Sequence, residues 1–191
     1  MRVVAIVEGD GEVEAVPVLI RRIASEVVPA ASPTVLRPIR VPRQRIVKQG
    51  ELERYSRLAA HLGGDDGCVL VLLDADEDCP AELGPSLLER ARAAVPDRRV
   101  EVALAKREYE AWFLASIESI CGTRRILPGL SAPPDPESVG GAKEWLGARM
   151  SGSYRPTADQ AALSARFDMA LARRRSPSFD KLWRATQALL R

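Results

Sequence analysis

Three apolar runs, each followed by acidic residues, organise this chain. The first, Val3-Val4-Ala5-Ile6-Val7, leads into Glu8-Gly9-Asp10-Gly11-Glu12. The second, Val69-Leu70-Val71-Leu72-Leu73, leads directly into Asp74-Ala75-Asp76-Glu77-Asp78 and is bounded by Gly67 and Pro80. The third, from Val100 to Ala105, leads into Lys106-Arg107-Glu108-Tyr109-Glu110. Continuous aliphatic runs of this length predict strands covered on both faces. Between them the apolar positions fall at helical spacing. Val13, Val16, Leu19, Ile20 and Ile23 predict a helix from about Glu12 to Val27, with Pro17 in its tolerant first turns. Leu52, Tyr55, Leu58 and Ala59 predict one from Glu51 to His61, and Leu87, Leu88 and Ala91 one from Leu83 to Val95. A further helix is predicted from Glu108 to Ser119, carrying Trp112, Phe113 and Leu114.

Residues 29–49 break the rhythm. They are rich in Pro and Arg and predict an edge strand followed by an irregular basic loop, since proline does not suit a central strand. Residues 127–140, rich in Pro, Gly and Ser, read as a loop, and the chain from Gly141 onward reads as helical. The expected organisation is an α/β core over residues 1–126, a loop over 127–140, and a helical extension over 141–191 packed on the core as a cap. Strands alternating with helices predict a mostly parallel, Rossmann-like sheet flanked by helices. In such sheets functional groups gather at the carboxyl ends of the strands.

Composition narrows the function classes. With 191 residues, 46% hydrophobic and few aromatics, the chain makes one domain with an aliphatic core. It has no apolar run long enough for a membrane span and no signal-peptide pattern, which places it in the cytoplasm. Cys68, Cys79 and Cys121 show no paired spacing, and so neither a zinc site nor a disulfide framework. His61 is the only histidine, near a helix end, where a surface role is expected rather than catalysis. The net charge of +2 does not by itself argue for nucleic acid.

The candidate chemistry lies in the acids. Asp74, Asp76 and Asp78 alternate, and would point the same way if the extended path persists. Carboxylates gathered where a buried strand emerges repel one another unless a proton or cation holds them, and oxygen-only donors suit a hard ion such as Mg2+. The alternative is a solvated acidic turn. Glu8 follows the first strand, with Glu12 one helical turn on, and Glu108 or Glu110 follows the third. Gly9-Asp10-Gly11 is not a dinucleotide fingerprint, because Glu14 stands where the third glycine belongs, and there is no phosphate-binding Gly-Lys-Ser/Thr loop.

Glu8-Gly9 and Asp74-Ala75-Asp76 resemble the signature of the TOPRIM domain over roughly residues 1–120. Glu8-Gly9-Asp10-Gly11-Glu12 is similar to the Glu-Gly-x-x-Glu form of the OLD-type nucleases, and Arg107-Glu108-Tyr109-Glu110-Ala111-Trp112 to their Arg-Glu-x-Glu-x-aromatic segment. The chain as a whole resembles the TOPRIM-like domain-of-unknown-function family 4276. The matching segments are Leu73–Pro80, Glu108–Leu114, Tyr154-Arg155-Pro156-Thr157 with Asp159-Gln160, and Ser178-Phe179.

This resemblance implies a Mg2+ or Mn2+ site made by Glu8, Asp74 and Asp76, with Glu12 and Glu110 as second-ion ligands, and the alternation beyond Asp74 offers Asp78 as a further candidate. It implies cleavage of phosphodiesters in nucleic acid, in phage defence or DNA maintenance, with Glu8 at the catalytic centre. Lys106 is the candidate cation for charge developing on the phosphate. Arg40, Arg43, Arg45 and Lys48 are the candidate nucleic-acid contacts, against the alternative of a solvated loop. Two other readings stand beside this one: a non-catalytic subunit of a separately encoded ATPase, and a hydrolase of small nucleotides. A homodimer is also compatible with the sequence.

Overall fold

The computed structural model describes residues 1–29 and 32–191. Residues 30 and 31, at the start of the expected Pro/Arg-rich segment, lie outside the described residues.

The three apolar runs form β1 (Arg2–Val7), β4 (Gly67–Asp74) and β5 (Val100–Ala105). Two short strands, β2 (Thr34–Val35) and β3 (Ile39–Arg40), both pair with β1. Every pairing between these strands is parallel and the order is β2-β1-β4-β5, with β2 beside the start of β1 and β3 beside its carboxyl end. The edge strand is interrupted for a physical reason. Val3 pairs with Val35 and Ile6 with Ile39, so three residues (Leu36, Arg37 and Pro38) oppose two on β1. This extra residue is a bulge, and Pro38 has no N–H to give the ladder.

Alternation assigns the faces. Val3, Ala5 and Val7, with Cys68, Leu70 and Leu72, pack beneath α1 (Asp10–Val27). The same face is covered by α7 (Pro156–Ser164), α8 (Met169–Arg175) and α9 (Pro177–Leu190). Val4, Ile6, Val69, Val71 and Leu73 face α3 (Glu51–Gly63) and α4 (Pro80–Ala94) on the other side, with the short α2 (Arg43–Ile46) beside α3. The C-terminal helices therefore form half of one helical layer, with α9 packed on β5 and α1, and share one continuous core with the first 126 residues. No described helix is long and apolar enough to cross a membrane.

The segment expected to be one helix from Glu108 to Ser119 is instead a single turn, α5 (Ala111–Leu114), followed by a 3-10 turn at Ile117–Ser119. Ser116 leaves helical geometry at φ −135°, ψ 30°. Tyr109 and every residue from Ala111 to Ala115 are buried, so the segment has no solvent face and threads through the core. It is an aromatic hub: Trp112 lies 4.6 Å from Tyr109 and 5.3 Å from Phe179 between ring centroids. The loop expected over 127–140 contains a 3-10 turn at Pro136–Ser138, and the remaining short helix is α6 (Ala142–Gly147).

Candidate metal and phosphate site

The parity of β4 places its terminal acid. Asp74 continues the series Cys68, Leu70, Leu72, so its side chain turns to the α1 face, where it is 6% exposed. Oδ1 accepts a hydrogen bond from the Tyr109 backbone N–H at 2.8 Å. Glu110, one residue on, is wholly buried. Its Oε1 accepts from the Tyr154 hydroxyl at 2.8 Å and from the Gln160 amide at 3.3 Å.

Glu12 stands at the third position of α1 and reaches back over the helix start. Its Oε2 accepts from the Glu8 and Gly9 N–H groups at 3.0 and 3.2 Å, satisfying donors that the first helical turn leaves free. Gly11 is required by close approach: a Cβ there would lie 2.3 Å from Gln160 Oε1 and 2.9 Å from Pro156. The resulting cleft, about 290 Å³, is lined by Glu8, Glu12, Asp74, Lys143, Thr157 and Gln160, among others.

The alternation expected beyond Asp74 does not persist. Asp76 takes a left-handed turn at φ 50°, and its N–H donates to the Arg107 carbonyl. Asp76 and Asp78 are consequently exposed, and both are paired with Arg43, Asp76 at 3.5 Å. Arg43 also donates from Nε to the Asp74 carbonyl at 2.9 Å. Asp76 remains close enough to Glu8 to disfavour its ionisation. Asp78 does not reach the cleft, whose lining includes Glu8, Glu12 and Asp74.

The cation of the cluster is Lys143, just inside α6. Its Nζ lies 3.3 Å from Glu108 Oε1, 3.4 Å from Asp74 Oδ2 and 3.6 Å from Glu110 Oε2. Lys106, the cation expected from sequence, is exposed and lines a different groove, between α4 and α9. The guanidinium groups of the basic segment are largely engaged by neighbouring acids. Arg40 binds Asp10 at 2.9 Å, Arg43 holds Asp76 and Asp78, and Arg45 binds Glu51. Only Lys48 among these four residues has no ion pair among the described residues, and the segment does not form a continuous bare basic surface.

Electrostatically the cluster is out of balance. Glu8, Glu12, Asp74 and Glu110 all have pKa values raised, with burial the first cause in each. Glu12 is pushed up to about 7 despite its two backbone hydrogen bonds. Mutual repulsion adds to burial, as at Asp74, which faces Glu12, Glu110 and Glu8. The Lys143 pKa is raised by Glu110, Asp74 and Glu108, which together outweigh its own burial. Two acidic oxygens, Glu8 Oε2 and Glu110 Oε2, are buried without a hydrogen-bond partner.

A pH dependence follows for the metal-free protein. The four raised carboxyls bind more protons folded than unfolded, so stability falls as pH rises between their unfolded and folded pKa values. For Glu12 that window runs from 4.5 to about 7. Lys143 contributes the opposite term, but its stabilisation is lost only at alkaline pH, outside this window. Melting followed in a chelator should therefore show a fall of several degrees as the pH rises from 4.5 to about 7. A flat or rising profile would show that the acids ionise without penalty.

The donor set fits a hard divalent ion in chemistry: it is all oxygen, carries more negative than positive charge, and includes two buried oxygens that accept no hydrogen bond among the described residues. Among the described residues, however, no three such side chains are already arranged as a coordination shell, because the carboxylates close around Lys143. Sequence reasoning missed Lys143, Tyr154 and Gln160 as parts of one site. The Tyr154-to-Gln160 motif was visible as a pattern, but the partners lie far along the chain from Glu110.

The family profile described as "Domain of unknown function (DUF4276)" matches residues 7–186. No curated protein and no solved structure matches the chain.

Proposed function

The chain belongs to the DUF4276 family, and from that premise we propose that it is a Mg2+- or Mn2+-dependent phosphodiesterase of TOPRIM type acting on nucleic acid. The observation that carries this reading is the convergence of Glu8, Glu12, Asp74 and Glu110 from three strand ends. One ammonium only partly compensates them, and Glu8 Oε2 and Glu110 Oε2 accept no hydrogen bond among the described residues. A proton-free cluster of this kind requires more positive charge than Lys143 supplies.

Glu8, Asp74 and Glu110 would hold the ion, with Glu12 as an inner support and Asp76 at the rim. When bound, the ion would polarise a phosphoryl oxygen and lower the pKa of water. The protein's own contribution is placement. Tyr154 and Gln160 orient Glu110, the Tyr109 N–H orients Asp74, and the Glu8 and Gly9 N–H groups orient Glu12. Lys143, standing among these acids, takes the role first expected of Lys106 and offsets charge on the phosphate.

A second reading, hydrolysis of a small nucleotide, is favoured by one observation. Arg40, Arg43 and Arg45 are spent on local acids rather than aligned to track a polymer backbone. Purified protein should cleave single- or double-stranded DNA or RNA with Mg2+ or Mn2+, and Glu8→Gln and Asp74→Asn should each remove at least about 100-fold of that activity. Turnover of nucleotides alone would select the second reading. Cleavage that is equal in wild type and both variants would end both.

A further inference from the structure

A second hollow lies between α4 and α9 and shares no lining residue with the acidic cleft. From its lining we infer that it binds a small amphipathic anion, a compact hydrocarbon body with a single acidic head.

Helical spacing builds the first wall. Leu87 and Ala91 of α4 turn into the core. Ala81, Gly84, Pro85 and Leu88, at i, i+3, i+4 and i+7, form a second apolar stripe on the same helix, and this stripe lines the hollow. Ala81 and Gly84 carry almost no side chain, which leaves the space open. Its volume is about 510 Å³, within the range of roughly 300–1,000 Å³ typical of small-molecule sites. The floor is Val102 and Leu104 of β5, which are 2% and 3% exposed. The strand edge itself is closed, because the Val100 carbonyl accepts from Arg92 Nε and the Lys106 N–H donates to Ser178 Oγ. An occupant therefore meets side-chain hydrocarbon rather than free main chain. A hydrocarbon body suits that lining better than a peptide, whose amides would go unpaired.

The facing wall supplies charge. Pro177, Lys181 and Arg184 line it at one-turn intervals along α9, and Lys106 stands just past the end of β5. Lys181 and Arg184 have acidic neighbours in Glu101 and Asp180, at 3.5 and 2.9 Å, whereas Lys106 has no acid within ion-pair distance among the described residues. The acid in the lining, Glu137, is buried and turned inward, where its Oε1 accepts from Ser176 Oγ and from the Ser178 N–H. The rim is therefore positive, and Lys106 is the cation that takes the acidic head. Lys106 is exposed, so that contact is screened by salt. The apolar body supplies most of the affinity, and the charge decides between anion and cation.

The test titrates the full chain with decanoate, and in parallel with decanol and decylamine, by calorimetry. Decanoate should bind saturably at one site, with decanol and decylamine each at least about tenfold weaker. The chain also carries its own reporter, since Cys79 is an exposed free thiol in the lining, whereas Cys68 is buried. Saturating decanoate should slow alkylation of Cys79 by iodoacetamide, read by mass spectrometry at that residue. A Cβ on Gly84 would meet only Leu104 Cδ1, at 3.9 Å. Gly84→Phe should fill the hollow and weaken decanoate binding by at least about tenfold. Lys106→Gln with Arg184→Gln, both at exposed positions, should lower decanoate to the level of decanol, and keeps the test valid if Gly84→Phe does not fold. Absence of saturable binding, equal binding of the three compounds, unprotected Cys79, or binding indifferent to these substitutions would overturn the proposal. So would self-association of the chain that Gly84→Phe abolishes, which would assign the hollow to a second copy.

Discussion

Replacing Lys143 with methionine should destabilise the metal-free protein by about 2–3 kcal/mol, between the cost of breaking a buried pair and that of a surface one. The ammonium faces three carboxylates at 3.3 to 3.6 Å. Methionine keeps much of the aliphatic volume and removes the charge, leaving Asp74 and Glu110 buried and uncompensated. Breaking a fully buried pair costs about 3–5 kcal/mol, and the Lys143 side chain is 35% exposed, so the expectation is set below that range. Denaturant unfolding at neutral pH in a chelator measures the loss. Millimolar Mg2+ should restore much of it, because an ion that binds only the folded state stabilises by mass action. Wild-type stability in the chelated variant would show that the acids are already neutralised by protons and that Lys143 is an incidental neighbour.

The contrast between what was and was not legible in the sequence comes down to range. Glu8 and Asp74 were legible because strand-end position is local information: an aliphatic run followed by an acid fixes where that acid emerges. β4's parity then decides its direction. The same local reasoning failed two residues later, because nothing in Asp74-Ala75-Asp76 announces that Asp76 turns left-handed and that its backbone bonds to Arg107.

The basic run was legible as charge but not as availability. Its partners Asp10, Asp76, Asp78 and Glu51 belong to other turns and helices. Lys143 was the hardest to foresee. It follows a Pro/Gly/Ser-rich loop, in a short helix whose local pattern carries no chemical signal, and only the packing of α6 beside α5 brings it to Asp74. The helix expected over 108–119 failed for the opposite reason. Its apolar residues were read as one face, whereas burial on every side lets the chain take a tighter path.

Glu110→Gln should act in opposite directions on stability and on metal-dependent behaviour. In the metal-free protein Glu110 is wholly buried, its Oε2 has no hydrogen-bond partner, and burial raises its pKa despite Lys143 and Tyr154. A raised carboxyl pKa means that the ionised form is less favourable folded than unfolded, so removing that charge relieves the native state. The glutamine carbonyl can still accept from the Tyr154 hydroxyl, and the lost ion pair with Lys143 leaves that ammonium with Asp74 and Glu108. The variant should therefore melt a few degrees higher than wild type in a chelator at neutral pH. With Mg2+ or Mn2+ the order should reverse, since the amide is a poorer donor to a hard cation. Wild type should gain more stability from the ion, and the variant should lose at least about 100-fold in cleavage. A purely structural Glu110 predicts a different pair of results: destabilisation on substitution, and no dependence of the difference on divalent ions. Melting each protein with and without Mn2+ separates the two, because only a carboxylate kept at a cost to the fold for the sake of a cation gives a difference that changes sign.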